Sequence, residues 1–173
     1  LAVARAAIAS NLRETIGMAG APEALVGLAL NGDALGVRWA VAALRNLTAA
    51  HGHNVVRARD ARGGGVATLL DIVGRDHGHP RGFCRATRAA AVATLGNMAR
   101  QDRDAATQII MGGGALMLVE LVRNGDKGVA GLAAWTMGVI FRGDDWHARH
   151  AAATAGAVAV LATLLRRGGA VDK

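Results

Sequence analysis

The residues with most chemistry to offer are six histidines and a single cysteine. His51-Gly52-His53 and His77-Gly78-His79, with Cys84 downstream, carry imidazole and thiolate groups, and His147 and His150 stand three apart on an expected helix. Zinc takes a closed tetrahedral ligand set at defined spacing. The two His-Gly-His pairs fall on segments that need not meet, so they read as loop histidines, and neither a metal nor any other cofactor is expected. The strings Gly63-Gly64-Gly65 and Gly112-Gly113-Gly114 lack the Lys-Ser/Thr that completes a phosphate loop. No catalytic constellation is present, and the chain is not expected to be an enzyme.

An amide does recur. Leu44-Arg45-Asn46-Leu47 returns as Leu95-Gly96-Asn97-Met98, with a shorter echo at Ser10-Asn11-Leu12 and a degenerate one at Met137-Gly138-Val139-Ile140. Asparagine is a poor residue for a helix interior, so its return at one position needs a reason. A carboxamide both donates and accepts, and one such group can answer both polar atoms of a peptide unit. The asparagines either grip the main chain of a partner or brace neighbouring helices.

The elements that position them are set out by glycine. Gly20, Gly64, Gly113 and Gly156 each stand between two helical patterns, each followed by an apolar cluster, at intervals of about 45 residues. A period of this size marks units that stack on their neighbours. Asn31-Gly32-Asp33 and Asn124-Gly125-Asp126 lie at the same offset from their glycines; in each, Gly ends one helix and Asp caps the next. A unit then reads as three helices, in the third unit Arg103 to Met111, Ala115 to Arg123 and Lys127 to Phe141. The middle unit carries about seven extra residues, assigned to the polar, turn-rich stretch 74–82.

Composition agrees. The chain of 173 residues is 52% hydrophobic but 3% aromatic, with no Tyr. Small apolar side chains suit close-packed helices, and the scarcity of aromatic and β-branched residues argues against sheet. The formal charge of +7 favours acidic partners. The lone cysteine excludes an internal disulfide framework, and no apolar stretch reaches membrane-spanning length without a charge or a helix breaker. The ends fall inside the helical pattern, so the chain reads as a segment of a longer protein.

The three-helix unit, the glycine between its first two helices and the Leu-x-Asn-Leu of its third resemble the armadillo repeat, across nearly the whole chain. The resemblance implies an all-α, right-handed armadillo-type α-solenoid. Its expected segments are a trailing third helix (1–13), a unit with a truncated first helix (14–50), a unit with the insertion (51–101), a third unit (102–143) and a partial one (144–173). It also implies an intracellular protein, cytoplasmic or nuclear.

In armadillo proteins the third helices line the concave face, where an extended partner segment lies. By that resemblance Asn46 and Asn97 would hold the partner's backbone. Helical spacing places Arg38 and Trp39 near Asn46, Arg100 near Asn97, and Trp135 and Arg142 near Val139, and Arg45 adjoins Asn46 in sequence as a further candidate cation. Importin-α-like members carry Trp four residues before Asn. Here Ala42 and Ala93 occupy that position, and Trp135 precedes Val139. That mismatch, with the cationic side chains, implies a protein–protein interaction scaffold for an extended, acidic peptide segment. The alternatives are an importin-α-like nuclear import adaptor, which would prefer basic peptides, and a basic helical surface for nucleic acid, which the dearth of stacking aromatics disfavours.

Overall fold

The structure is a computed structural model, and it describes residues 11–75, 82–125, 127–142 and 150. Gly156, Asp126, most of the 74–82 stretch, His77, His79, His147 and nearly all of 1–13 and 144–173 lie outside the described residues.

Nine helices are described. The first, α1, is seen over residues 11–18 as one unbroken element, so Asn11 and the Glu14 to Met18 turn share a helix. It is followed by α2 (Ala21–Asn31), α3 (Ala34–Thr48), α4 (Gly52–Asp60), α5 (Gly65–Gly74), α6 (Arg85–Gln101), α7 (Arg103–Met111), α8 (Gly114–Asn124) and α9 (Lys127–Phe141). Among the described residues there is no strand. Nor is any single described helix long and apolar enough to cross a membrane.

The helix order repeats in threes. α3 packs on α6 and α6 on α9, forming a continuous layer of third helices. Each also packs on the second helix of its own unit, α2 on α3, α5 on α6 and α8 on α9. The result is an all-α solenoid with three helices per unit.

The central α6 explains the alanine content. Flanked on both sides, it buries Ala90, Ala91, Val92, Ala93, Thr94, Leu95 and Gly96 in succession, so it shows no amphipathic stripe of the kind a one-sided helix has. Short side chains let its neighbours approach, and Leu44, Leu69, Ile72, Leu95, Met98, Ile109, Leu118 and Met137 fill the spaces between layers.

Two classes of glycine punctuate the units. Gly20 (φ 86°) and Gly113 (φ 80°) are left-handed, with open space where a Cβ would sit. They are required for backbone conformation alone. Gly32 and Gly125 have ordinary negative φ, yet a methyl on either would collide with the carbonyl of Leu28 or Leu121. Their N–H groups donate to those same carbonyls, each at 2.8 Å, so contact rather than torsion selects glycine there. Asp33 caps α3 by accepting from the Gly36 N–H at 2.7 Å.

Candidate functional site

The third helices present one face between the buried rows. On α3, Val37, Ala40, Val41, Leu44 and Leu47 are buried, whereas Arg38, Trp39, Arg45 and Asn46 are exposed. Trp39 is 60% exposed, and the Arg38 guanidinium carbon lies 5.3 Å from its ring centroid, a cation–π contact. On α6, Arg100 is exposed and Asn97 half-buried; Arg142, just beyond α9, is exposed.

The two asparagines are in different situations. Asn97 Nδ2 donates to the Arg45 carbonyl at 3.1 Å, a bracing contact from α6 to α3. The amide of Asn46 makes no hydrogen bond among the described residues and stands in solvent.

The Asn97 contact belongs to a wider capping arrangement. The last four carbonyls of a helix have no partner within it. At the end of α3, Asn97 satisfies Arg45, Asn54 Nδ2 satisfies Leu47 at 3.0 Å, and Gln101 Nε2 satisfies Thr48 at 2.6 Å. Asn54 also donates to the Arg13 carbonyl of α1 at 3.1 Å and is wholly buried. It can reach α1 because residue 17 is glycine; a methyl there would overlap the Asn54 carboxamide. Sequence reasoning missed Asn54 and Gln101. The available signals were the four-residue spacing of Asn97 and Gln101, and an asparagine two positions into an expected helix.

Trp135 is pressed onto α6. It is 42% exposed, and a Cβ on Gly96 would occupy the space of its ring. Beside it, Thr136 donates to the Val92 carbonyl at 3.2 Å. The glycine in Leu95-Gly96-Asn97-Met98 is therefore the seat of the next unit's tryptophan, where the first unit has Arg45.

Charge is sorted by helix position. The three described third helices carry Arg38, Arg45, Arg85, Arg88, Arg100 and Lys127 and no Asp or Glu. Every described carboxylate lies on a first or second helix or on a helix cap, and most are engaged. Glu23 pairs with Arg57, Asp71 with Arg75 and Glu120 with Arg123. Arg59 joins Asp60 (2.7 Å), Asp102 (2.6 Å) and Asp104 (3.2 Å), fastening α4 to the junction of α6 and α7. Arg38 also acts on Cys84, at the N-terminus of α6. That thiol is held below its ordinary value chiefly by the Thr87 hydroxyl, 3.3 Å away, with a smaller contribution from the Arg38 charge and burial opposing.

The remaining sequence candidates stay apart. His51 and His53 have ring centroids 6.4 Å apart beside a cavity of about 240 Å3 that Glu14, Asn54 and Arg57 also line. Among the described residues, no three His, Cys, Asp or Glu side chains converge to hold a metal ion.

Similarity to known proteins was found at the level of structure. No protein-family model matches the chain, and no curated protein sequence matches it. Two crystal structures of engineered proteins superpose with TM-scores of 0.79 and 0.80, each at 28% identity, over 90% and 91% of this chain. A designed armadillo repeat protein in complex with the peptide (KR)4 superposes over 91% of the chain with TM-score 0.79 at 21% identity. The fold is of the armadillo-repeat type. The chain spans 59%, 37% and 62% of the lengths of those three proteins. The armadillo reading of the glycines and of the Leu-x-Asn-Leu landmark thus agrees with the three-dimensional comparison.

Proposed function

We propose that this armadillo-type solenoid is a non-catalytic binding module, and that its third-helix face takes an extended, acidic peptide segment. The observation that carries the reading is the charge sorting: the described third helices carry six cations and no carboxylate, and of the six Arg88 is turned away, donating to the Val73 carbonyl of α5 at 3.1 Å. A segment lying across these helices meets one sign of charge along its path, which speeds encounter and rejects like-charged competitors. The designed armadillo protein bound to (KR)4 supports peptide binding by this architecture. The sign of charge here favours the opposite ligand.

Within this reading Asn46 grips the partner main chain with both its donor and its acceptor. Asn97, one donor already committed to α3, offers its remaining capacity. Arg38, Arg45, Arg100 and Arg142 select carboxylates, and Trp39 and Trp135 supply apolar surface. The test measures binding of Glu-rich and Lys-rich peptides to the wild type and to Asn46→Ala and Arg45→Glu/Arg100→Glu. Glu-rich peptide is expected to bind, losing about fivefold in Asn46→Ala from one uncompensated hydrogen bond and more in the charge reversal. Tighter binding of Lys-rich peptide, as an importin-α-like adaptor requires, would overturn the proposal.

A further inference from the structure

Main-chain gripping by asparagines and attraction by arginines do not fix where along an acidic segment the contact falls. Both interactions repeat from one residue of the ligand to the next. Something else must set the register, and one third helix differs from the others in a way that can.

On α3 one helix face runs Leu35, Trp39, Ala42, Asn46, all exposed but the half-buried Ala42. Leu35 is 58% exposed and Trp39 60%. These are large apolar side chains, one turn apart, with the Arg38 guanidinium set against the indole. The stripe is not repeated position for position: the apolar residues of this face on α9 are Leu132, half-buried, and Trp135, whose ring is seated over Gly96. At the corresponding positions α6 has Ala86 and Ala90, and α9 has Gly128 and Leu132. Ala90 is buried, so α6 has no equivalent platform.

Arg38 has no ion pair among the described residues, and α3 carries no carboxylate that could provide one. An occupant that covers Leu35 and Trp39 brings Arg38 into a drier setting, where an unpaired cation is costly. The occupant therefore has to supply a carboxylate next to its apolar group. This condition excludes a purely apolar partner and a basic one.

We infer that Leu35, Trp39 and Arg38 form a register-setting anchor for one apolar side chain, flanked by a carboxylate, in the extended acidic segment proposed above. The inference rests on that reading of the third-helix face. The carboxylate meets Arg38, the apolar side chain covers Leu35 and the open part of the Trp39 ring, and the chain continues past Asn46 towards α6 and α9. An anchor at a single unit gives one preferred alignment, where a ladder alone allows sliding.

The test uses two short peptides of Glu and Ser that differ only in a central Leu or Ala. Both are titrated into wild type, Trp39→Ala, Leu35→Ala and Arg45→Glu, with circular dichroism checking that each variant folds. The Leu peptide is expected to bind wild type about tenfold more tightly than the Ala peptide, as burial of one aliphatic side chain implies. That ratio should fall towards one in Trp39→Ala and Leu35→Ala, while Arg45→Glu weakens both peptides and keeps it. In a Trp135→Phe/Trp146→Phe background, where Trp39 is the only indole, its emission should shift to the blue with the Leu peptide. A preference for Leu that survives in Trp39→Ala overturns the anchor. Equal binding of both peptides by wild type removes the anchor and leaves the acidic-segment reading standing. No binding of either removes both.

Discussion

A buried carboxamide in this solenoid has consequences out of proportion to its size. Asn54 satisfies two main-chain carbonyls from two different helices, at Arg13 and Leu47. Asn54→Ala should destabilise the fold by about 2–4 kcal/mol, since a buried and a part-buried acceptor lose their donor at once. Gly17→Ala attacks the same contact from the other side, and about 1–3 kcal/mol is expected because the buried Asn54 must move. Chemical denaturation of both variants checks this, and the double variant should cost less than the sum because one contact is lost twice. Residue-level reading of the sequence went only part of the way here. It identified Asn46 and Asn97 by their recurrence, and recurrence is blind to Asn54, whose partners come from outside its own unit. It also could not tell the two recurring asparagines apart. That difference depends on the position of the Arg45 carbonyl, which lies 3.1 Å from Asn97 Nδ2.

The helix junctions obey one torsional rule with two opposite predictions. Gly20 and Gly113 are left-handed with open space where a methyl would sit, so replacing either with alanine should cost about 1–2 kcal/mol through backbone strain alone. Ala50, between α3 and α4, also has a left-handed φ of 57°. Ala50→Gly should therefore stabilise the protein, by about 0.5–1 kcal/mol once the greater freedom of the unfolded glycine is subtracted. Thermal melts of the three variants would show Tm falling for the first two and rising for the third. At this scale the sequence was most legible. A glycine between two apolar periodicities announces a junction because few other residues accept the torsion, and Arg103–Met111 ends where the glycine string implies. Gly32 and Gly125 show the limit of the argument: they too mark junctions, but their φ is negative and the requirement is steric.

For the whole molecule, electrostatics divides into charges that hold units together and charges left for a partner. Arg59 is the chief example of the first kind, with its side chain 14% exposed and Asp102 at 13%. Arg59→Ala should cost about 2–3 kcal/mol, because Asp102 is left partly buried without its cation. Asp60 is held below its ordinary value of 3.8, mainly by its hydrogen bond to Arg59. A depressed carboxyl stabilises the fold above its unfolded pKa, and that contribution is lost as pH falls through the lower folded value. Near neutral pH this contribution is fully present and does not vary with pH, so Asp60→Asn should have the lower Tm there; below about pH 4 the wild-type Tm should fall, with a shallower fall in Asp60→Asn. Arg38, Arg45 and Arg100 on the third helices behave differently. They contribute little to folding, but binding of an acidic peptide should weaken steeply between low and physiological salt, a dependence that Arg45→Glu/Arg100→Glu flattens.

The sequence by itself determined the periodicity, the three-helix unit, the all-α class and the excess of positive charge. Each of these is a local or compositional property, carried by residue spacing along one chain. Only the tertiary structure decided which side chains remain available to a partner. Trp39 is open and Trp135 lies against Gly96; Asn46 is free and Asn97 is tied to α3, although sequence spacing gives the two asparagines equivalent standing. The physical reason is that availability depends on what the neighbouring unit puts opposite a residue. Stacking brings that neighbour from about 45 residues away, so spacing within one helix carries no record of it.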